Sequence, residues 1–287
     1  MTDLSRPPVD SEDVRKFVAV AEELHFGRAA DRLGMAQPPL SRAIKQLEHR
    51  LGVELLIRNS RGVRLTEAGE VLLHEGLKAL DAVSAAARRA QRAGTAERKL
   101  VVAMKSSGDA GLLGGILEEY ERDRDAIPVD LVFCGPGEQV KLLRDGRADM
   151  AFLHSPHDEL NGFDTEELLT LRSVALLRRG HRLSSRRSLQ LKDLEGEPMP
   201  RWPGMTNDGP EIRDTSQLMQ LIALGRLVAV VPESARADLR PDLVAIPVLD
   251  AEPNTVVLAW PERSRSRSVA AFVRAAANAG EPARASG

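Results

Sequence analysis

"MAQPPLSRAIKQLE", residues 35–48, sets two adjacent prolines directly ahead of a segment with helical spacing. A proline pair fits the first turn of a helix, where the N–H groups have no internal acceptor to lose. Leu40, Ile44, Leu47 and Leu51 recur at intervals of four, three and four, the stripe of an amphipathic helix. The opposite face keeps Gln37, Pro38, Pro39, Ser41, Arg42, Lys45 and Gln46. Amide, hydroxyl and cationic groups therefore gather at the leading end of this helix.

Upstream, the pattern predicts a helix over about 11–24. Asp10 or Ser11 caps it, and Val14, Phe17, Val18, Ala21 and Leu24 share one face. A shorter helix over about 27–33 turns Ala29 and Ala30 inward, and Gly34 ends it. Two short helices at a tight turn, the second polar at its leading end, form a helix-turn-helix, whose second helix enters the major groove of DNA. Arg42 suits a guanine edge, Gln37 or Gln46 an adenine, and Ser41 and Lys45 phosphates or bases. Downstream, "VELLIR" and "GVRLT" flank Asn59-Ser60-Arg61-Gly62, a hairpin pattern. On such a wing Arg58, Arg61 and Arg64 suit the DNA backbone or minor groove. Residues 32–64 hold seven basic and two acidic side chains, although the whole chain has a net charge of −2. A merely structural helix pair with a solvated basic face explains neither the wing nor this concentration of charge.

Thr66 suits the N-cap of a long helix reaching about residue 92. Along it Leu73, Leu77, Leu80, Ser84 and Ala87 repeat at intervals of four and three, a heptad-like seam. Periodicity alone fits pairing with a second copy and packing on the chain's own domain equally well. Residues 93–99, "AGTAERK", read as a hinge. From Leu100 the pattern changes to "LVVAM", a polar loop, a helix with Leu112 to Tyr120, "VDLVF", "EQVKLLRDG" and "ADMAFL", a βαβαβ unit with a parallel sheet. A second set follows in "SVALLRR", a helical "SLQLKDL", "TSQLMQLIALG", "LVAVVP" and "TVVLAW". A last helix is expected over about 267–278, with "GEPARASG" beyond it as a disordered tail.

The stretch "FGRAADRLGMAQPPLSRAIKQLEHRLGVELLIRNSRGVRLTEAG", residues 26–69, resembles the winged helix-turn-helix of LysR-type transcriptional regulators along its whole length. The resemblance rests on the Ala-Ala pair, the "QPPLSR" entry to the recognition helix and the Leu-Thr-Glu-Ala-Gly ending. "LLRDGRADMAF", "GHRLSSRRSLQLKDLEGEP" and "LMQLIALGRLVAVVPESA" resemble segments of the effector domain of the same family. The implied fold is a mainly α winged helix-turn-helix over residues 1–66 and a linker and dimerisation helix over 67–94. An α/β effector domain follows over 95–287, its two βα subdomains resembling type 2 periplasmic binding proteins. Subdomain I would span about 98–160 and 266–280, and subdomain II about 161–265. The resemblance implies DNA contacts by Gln37, Pro38, Pro39, Ser41, Arg42 and Lys45 and by the wing arginines Arg58 and Arg61. It also favours dimerisation through Leu73, Leu77 and Leu80, in a homodimer or homotetramer.

By position, Lys105, Ser106 and Ser107 occupy the loop that holds a small effector in this family, and Gly135 and Gly137 lie in the second loop of the cleft. Trp202 and Thr215 are further candidates. A loop leading into a helix, with Lys105 in place of a hydroxyl, points to a small anionic effector, and the expected class is a small organic acid or an aromatic compound. The family usually carries a longer segment, with a helix, between Trp202 and Glu211. Only "PGMTNDGP" remains here, so subdomain II is expected to be trimmed.

Cofactor, membrane and enzyme readings fare poorly. No apolar run approaches the roughly 20 residues that span a bilayer, and "MTDLSRPPVD" lacks the pattern of a signal peptide, so a cytoplasmic protein is expected. The single cysteine, Cys134, excludes an intrachain disulfide. His154 and His157, beside Asp158, could in principle hold a metal, but that spacing in a loop with no cysteine nearby reads as a solvated connector, so no metal and no cofactor are expected. No histidine has a nucleophile partner, and no enzyme activity is expected. The expected partners are double-stranded promoter DNA, a second copy, a small anionic effector and, for an activator, RNA polymerase. One alternative stays open: a constitutive or architectural DNA binder whose second half only mediates assembly.

Overall fold

A computed structural model describes residues 9–59, 62–94, 98–202, 207–262 and 264–284. It divides into two compact units, residues 1–90 and 91–287.

The first unit begins with α1 (Ser11–Glu23). Asp10 caps it, accepting from the backbone of Glu12 at 3.0 Å and Asp13 at 2.9 Å, while the Asp13 carboxylate accepts from the Asp10 N–H. The helix ends on Leu24 in the left-handed region, φ 46°. His25 then caps α2 (Phe26–Arg32), its Nδ1 accepting from Gly27 N at 3.1 Å and Arg28 N at 3.2 Å. The cap draws the helix start back to Phe26, one residue before the expected Gly27. α3 (Gln37–Leu51) has no side-chain cap. Its two prolines remove two of the donors that a cap would have to satisfy. Leu40, Ile44 and Leu47 are buried against Phe17, Ala29 and Ala30, and Leu51 sits at the margin of that core. Each such burial contributes about 1.5–3 kcal/mol.

The wing is the antiparallel pair β1 (Leu56–Asn59) and β2 (Gly62–Leu65), in register Leu56 to Leu65 and Asn59 to Gly62. Its tip, including the expected DNA contact Arg61, lies outside the described residues. α4 (Glu67–Ala93) starts from Thr66, whose Oγ accepts from Gly69 N at 3.0 Å and donates to Glu54 O at 2.7 Å. Gly69 is fixed by close packing, because a Cβ there would lie 2.2 Å from Leu55 O. α4 also lies on α1: a Cβ at Gly76 would meet Val14 at 2.8 Å. This contact splits the expected heptad seam. Leu73 packs with Leu72 into its own domain's core and Leu80 is half-buried, whereas Leu77 is exposed, with Val71 and Val83.

The second unit holds a five-stranded sheet. It comprises β3 (Leu100–Met104), β4 (Val129–Phe133), β5 (Met150–Ser155), β6 (Phe163–Leu171) and β10 (Asn254–Pro261), in the order β4-β3-β5-β10-β6. β3 runs parallel to β4 and β5, as the βαβαβ pattern predicts, and β10 runs antiparallel to β5 and β6. α5 (Leu113–Tyr120) and α8 (Arg267–Arg284) pack on one face around Tyr120 and Phe272, while α6 (Glu138–Arg144) packs on the other. α8 continues past residue 278 because Gly280 acts as a close-packing residue and not as a stop. A Cβ there would lie 2.9 Å from Leu168 O on β6.

β6 and β10 both belong to this first sheet, so the second subdomain is the span between them, narrower than the 161–265 expected. It contains β7 (Ser173–Arg178), β8 (Ala229–Pro232) and β9 (Leu243–Pro247) in the order β8-β7-β9, all antiparallel, with α7 (Thr215–Ala223) packed against β7. The expected second βα repeat is therefore not a parallel crossover unit. The "SLQLKDL" segment folds only a 3₁₀ turn at Leu191–Leu194, too short to carry the chain across the sheet for a parallel return. Half of the trimmed segment, residues 203–206, lies outside the described residues, and the described residues on either side of it meet. Arg201 and Glu211 form a parallel bridge and an ion pair at 2.9 Å, and Asn207 donates to Pro200 O at 3.1 Å. A Cβ on Gly209 would sit 1.9 Å from Met199 O, so this short closure requires glycine.

Candidate nucleic-acid interface and ligand cleft

In the first unit the core stripe of α3 fixes which side chains face outward. Gln37, Pro38, Arg42, Lys45 and Gln46 are exposed, and Pro39 and Ser41 are half-exposed at the same end. Many cations of this unit are matched by carboxylates: Arg32 with Glu22 at 2.7 Å, Arg28 with Glu23 at 3.1 Å, Lys16 with Glu12 at 2.6 Å, and Arg50 with Asp13. Glu22 raises the Arg32 pKa further through its hydrogen bond and charge. Arg42, Lys45 and Arg64 have no ion-pair partner among the described residues, and all three are exposed. Unpaired guanidinium and ammonium groups on one helix end and one wing strand present a cationic, hydrogen-bonding surface to a polyanion.

Arg58, expected to contact the DNA backbone, is exposed but also meets groups of its own unit. Its guanidinium lies 4.2 Å from the centroid of the Phe26 ring, donates to Ser41 Oγ at 3.0 Å and stands 4.0 Å from Glu48. The wing strand carries it back onto the helices, and nothing in the spacing of residues 26, 41, 48 and 58 announces that meeting.

In the second unit, the loop from Lys105 to Leu112 leaves the carboxyl end of β3. Ser107 and Ala110 are both left-handed, at φ 58° and 52°. Lys105 is half-buried, while Ser106 and Ser107 are exposed. Burial lowers the Lys105 pKa, and the charge of Asp158 partly offsets that effect. Ser107 Oγ donates to Asp238 Oδ2 at 2.8 Å, joining the first subdomain to the second. Gly135 closes the other side: its N–H donates to Glu138 Oε2 at 2.8 Å, and a Cβ on it would lie 2.8 Å from Arg213 O. Gly137, left-handed at φ 80°, is the N-cap of α6. Thr215 opens α7 beside that crossing, whereas Trp202 packs against the core of the second subdomain. The structure thus brings the 105, 135 and 213 loops to the junction of the subdomains and assigns Trp202 to packing.

Sequence reasoning missed three groups here. Asp238 and Asp158 supply carboxylates to the very loop read as an anion seat. His154 is not a solvated connector but is buried on β5, with Nδ1 2.6 Å from Asn254 Oδ1 and Nε2 2.8 Å from Gly108 O. The alternation of β5, which turns Phe152 and His154 to the same face, was the available signal. Burial is the main cause that pushes the His154 pKa down to about 4, with the Lys105 charge second. Burial also pushes the Cys134 thiol up to about 11. Among the described residues no three His, Cys, Asp or Glu side chains gather as a metal site, and no helix is long and apolar enough to cross a membrane. A groove of about 300 Å³ between α5 and β4, lined by Leu117, Tyr120, Ile127 and Leu131, includes none of the predicted effector residues.

A winged helix-turn-helix with an unpaired cationic leading face, joined by a long helix to a two-subdomain α/β unit, defines a DNA-binding transcription regulator with a ligand-binding domain. The comparisons agree. A family model described as "Bacterial regulatory helix-turn-helix protein, lysR family" matches residues 11–70, and one described as "LysR substrate binding domain" matches 93–209. The chain is 34% identical over 242 residues to the HTH-type transcriptional regulator AlsR of Bacillus subtilis (strain 168), covering 77% of this chain and 79% of that protein. Full-length BenM aligns at 26% identity with a TM-score of 0.51, covering 94% of this chain and 96% of that one. Full-length CbnR in complex with its target DNA shares the fold, at 23% identity and a TM-score of 0.51, over 95% of this chain and 100% of that one. This chain belongs to the LysR family of bacterial transcriptional regulators.

Proposed function

We propose that this regulator binds a two-fold related operator as a homo-oligomer, reading bases with Arg42, Gln37 and Gln46 from the leading end of α3. Lys45, Ser41, Arg61 and Arg64 hold the phosphates, and Pro38 and Pro39 let the uncapped helix end approach the groove. A small organic anion, aliphatic or aromatic, modulates that binding from the junction of the two subdomains, with Lys105, Ser106, Ser107, Gly135, Gly137 and Thr215 around it. Occupancy shifts the balance between two arrangements of the subdomains and so the spacing of the paired wings. The protein acts in the cytoplasm, and where it activates, it does so through RNA polymerase.

The observation that carries the DNA reading is the exposed pair Arg42 and Lys45, without an ion-pair partner among the described residues, at the leading end of α3, while Arg28, Arg32 and Arg50 of the neighbouring helix surfaces are matched by carboxylates. Arg42→Ala tests it. If Arg42 reads a guanine, the substitution costs about 1–3 kcal/mol on the cognate site and relaxes preference at one base position. Unchanged affinity and unchanged preference would remove α3 from the interface. The effector reading is tested by thermal shift with a panel of small carboxylates, since a ligand that binds only the folded unit stabilises it by RT ln(1 + [L]/Kd). A flat panel would favour a constitutive binder.

A further inference from the structure

The guanidinium of Arg58 touches three elements at once. It lies over Phe26 at the start of α2, donates to Ser41 in the first turns of α3 and faces Glu48 near the end of α3, while its backbone belongs to β1. Glu48 extends the same cluster, its Oε1 accepting from Leu55 N at 2.9 Å and Leu56 N at 3.1 Å, where the wing begins. One carboxylate and one guanidinium therefore tie both ends of α3 to the wing strand. We infer that Arg58 is a positioning residue for DNA recognition: it fixes the wing and the recognition helix at one relative angle and presets the Ser41 hydroxyl as a donor.

Ser41 accepts the Arg58 N–H on an oxygen lone pair, so its own O–H points away from the guanidinium and is free to donate to a phosphate oxygen. Arg58 has its charge matched by Glu48 and its flat face covered by Phe26, and it does not serve as a phosphate-neutralising cation. A lysine cannot replace it, because a single ammonium cannot stack on the ring, reach the hydroxyl and face the carboxylate together. The inference rests on the reading of α3 as the DNA face.

The experiment uses the full chain and measures fluorescence anisotropy on the duplex upstream of its own coding region and on a random duplex, across a salt series. Arg58→Lys and Arg58→Ala are both expected to lose about tenfold or more on the specific site. The slope of log affinity against log salt should stay within half of the roughly 0.9 that one phosphate contact contributes. Ser41→Ala combined with Arg58→Lys should weaken binding no more than the stronger single substitution, since both break one unit. A slope reduced by about 0.9 in Arg58→Ala, with recovery in Arg58→Lys, would overturn the inference in favour of a direct phosphate contact. Additive losses with Ser41→Ala would also overturn it. If Arg58→Ala does not fold, the lysine variant and the double substitution decide alone. Arg42→Ala, measured alongside, separates the two levels: if it is silent, the DNA-face reading fails, whereas if it weakens binding and both Arg58 variants are silent, only the positioning role fails.

Discussion

His154 offers a quantitative test of how the effector unit is built. Both ring nitrogens face polar groups, the Asn254 amide and the Gly108 carbonyl, and the side chain is almost fully buried. A neutral ring donates from one nitrogen and accepts at the other. That pattern is complete when Nε2–H donates to Gly108 O and the Asn254 amide is turned end for end, so that its NH₂ takes the place where Oδ1 now lies 2.6 Å from Nδ1. Burial and the nearby Lys105 charge then hold the folded-state pKa near 4, below the ordinary 6.5. A histidine depressed in the folded state leaves stability untouched above the unfolded pKa. As pH falls from about 6.5 toward 4, the unfolded chain takes up a proton that the folded chain refuses, and stability is lost. At about 1.36 kcal/mol for each tenfold difference in proton affinity, wild type should lose roughly 2–3 kcal/mol between pH 7 and pH 4.5 through this one residue. Urea unfolding of the full chain, followed by tryptophan fluorescence at both pH values, measures it. His154→Gln supplies the reference for all other titrating groups, and the difference between the two proteins should grow against wild type by that amount as pH falls. A wild type that gains stability relative to His154→Gln on acidification would mean that the ring is charged in the folded state and bonded to two acceptors, which refutes the neutral assignment.

Other consequences are more local. Gly69→Ala forces a Cβ into Leu55 O at the junction of α4 and the wing, and should destabilise the DNA-binding unit by about 1–3 kcal/mol in a thermal melt; an unchanged melt would mean that α4 shifts freely against β1. Leu77→Glu places a charge on the exposed apolar side of α4 and should lower the oligomer mass in sedimentation, whereas unchanged mass would move the interface elsewhere. Asp238→Asn removes a carboxylate that already holds Ser107, so small carboxylates should bind the variant several-fold more tightly in calorimetry. Weaker binding would show that Asp238 supports the site instead of competing for it.

The helix-turn-helix was legible because its information is local. The stripe Leu40, Ile44 and Leu47, the prolines of the first turn, and Gly34 and Gly52 at positive φ each declare themselves within a few residues. The parallel half of the first sheet was legible for the same reason, each strand being a short apolar run. β6 was not, because Asp164, Glu166 and Glu167 interrupt its alternation, and its partner β10 lies some 90 residues on with a register shift between Val256 and Val257. The roles of Arg58 and Asp238 were equally hidden. Each depends on a contact across the fold, 131 residues apart for Ser107 and Asp238, and a single sequence carries no signal for such pairs.

On the proposed function, the leading face of α3 recognises a particular DNA sequence. Anisotropy of the full chain on the duplex upstream of its own coding region, with excess random competitor, tests it most directly when wild type and Arg42→Ala are titrated together. A complex that survives competitor in wild type and weakens about tenfold or more in Arg42→Ala is the predicted result. A complex that competitor and modest salt dissolve equally in both proteins would contradict it, leaving only attraction between a cationic surface and phosphate.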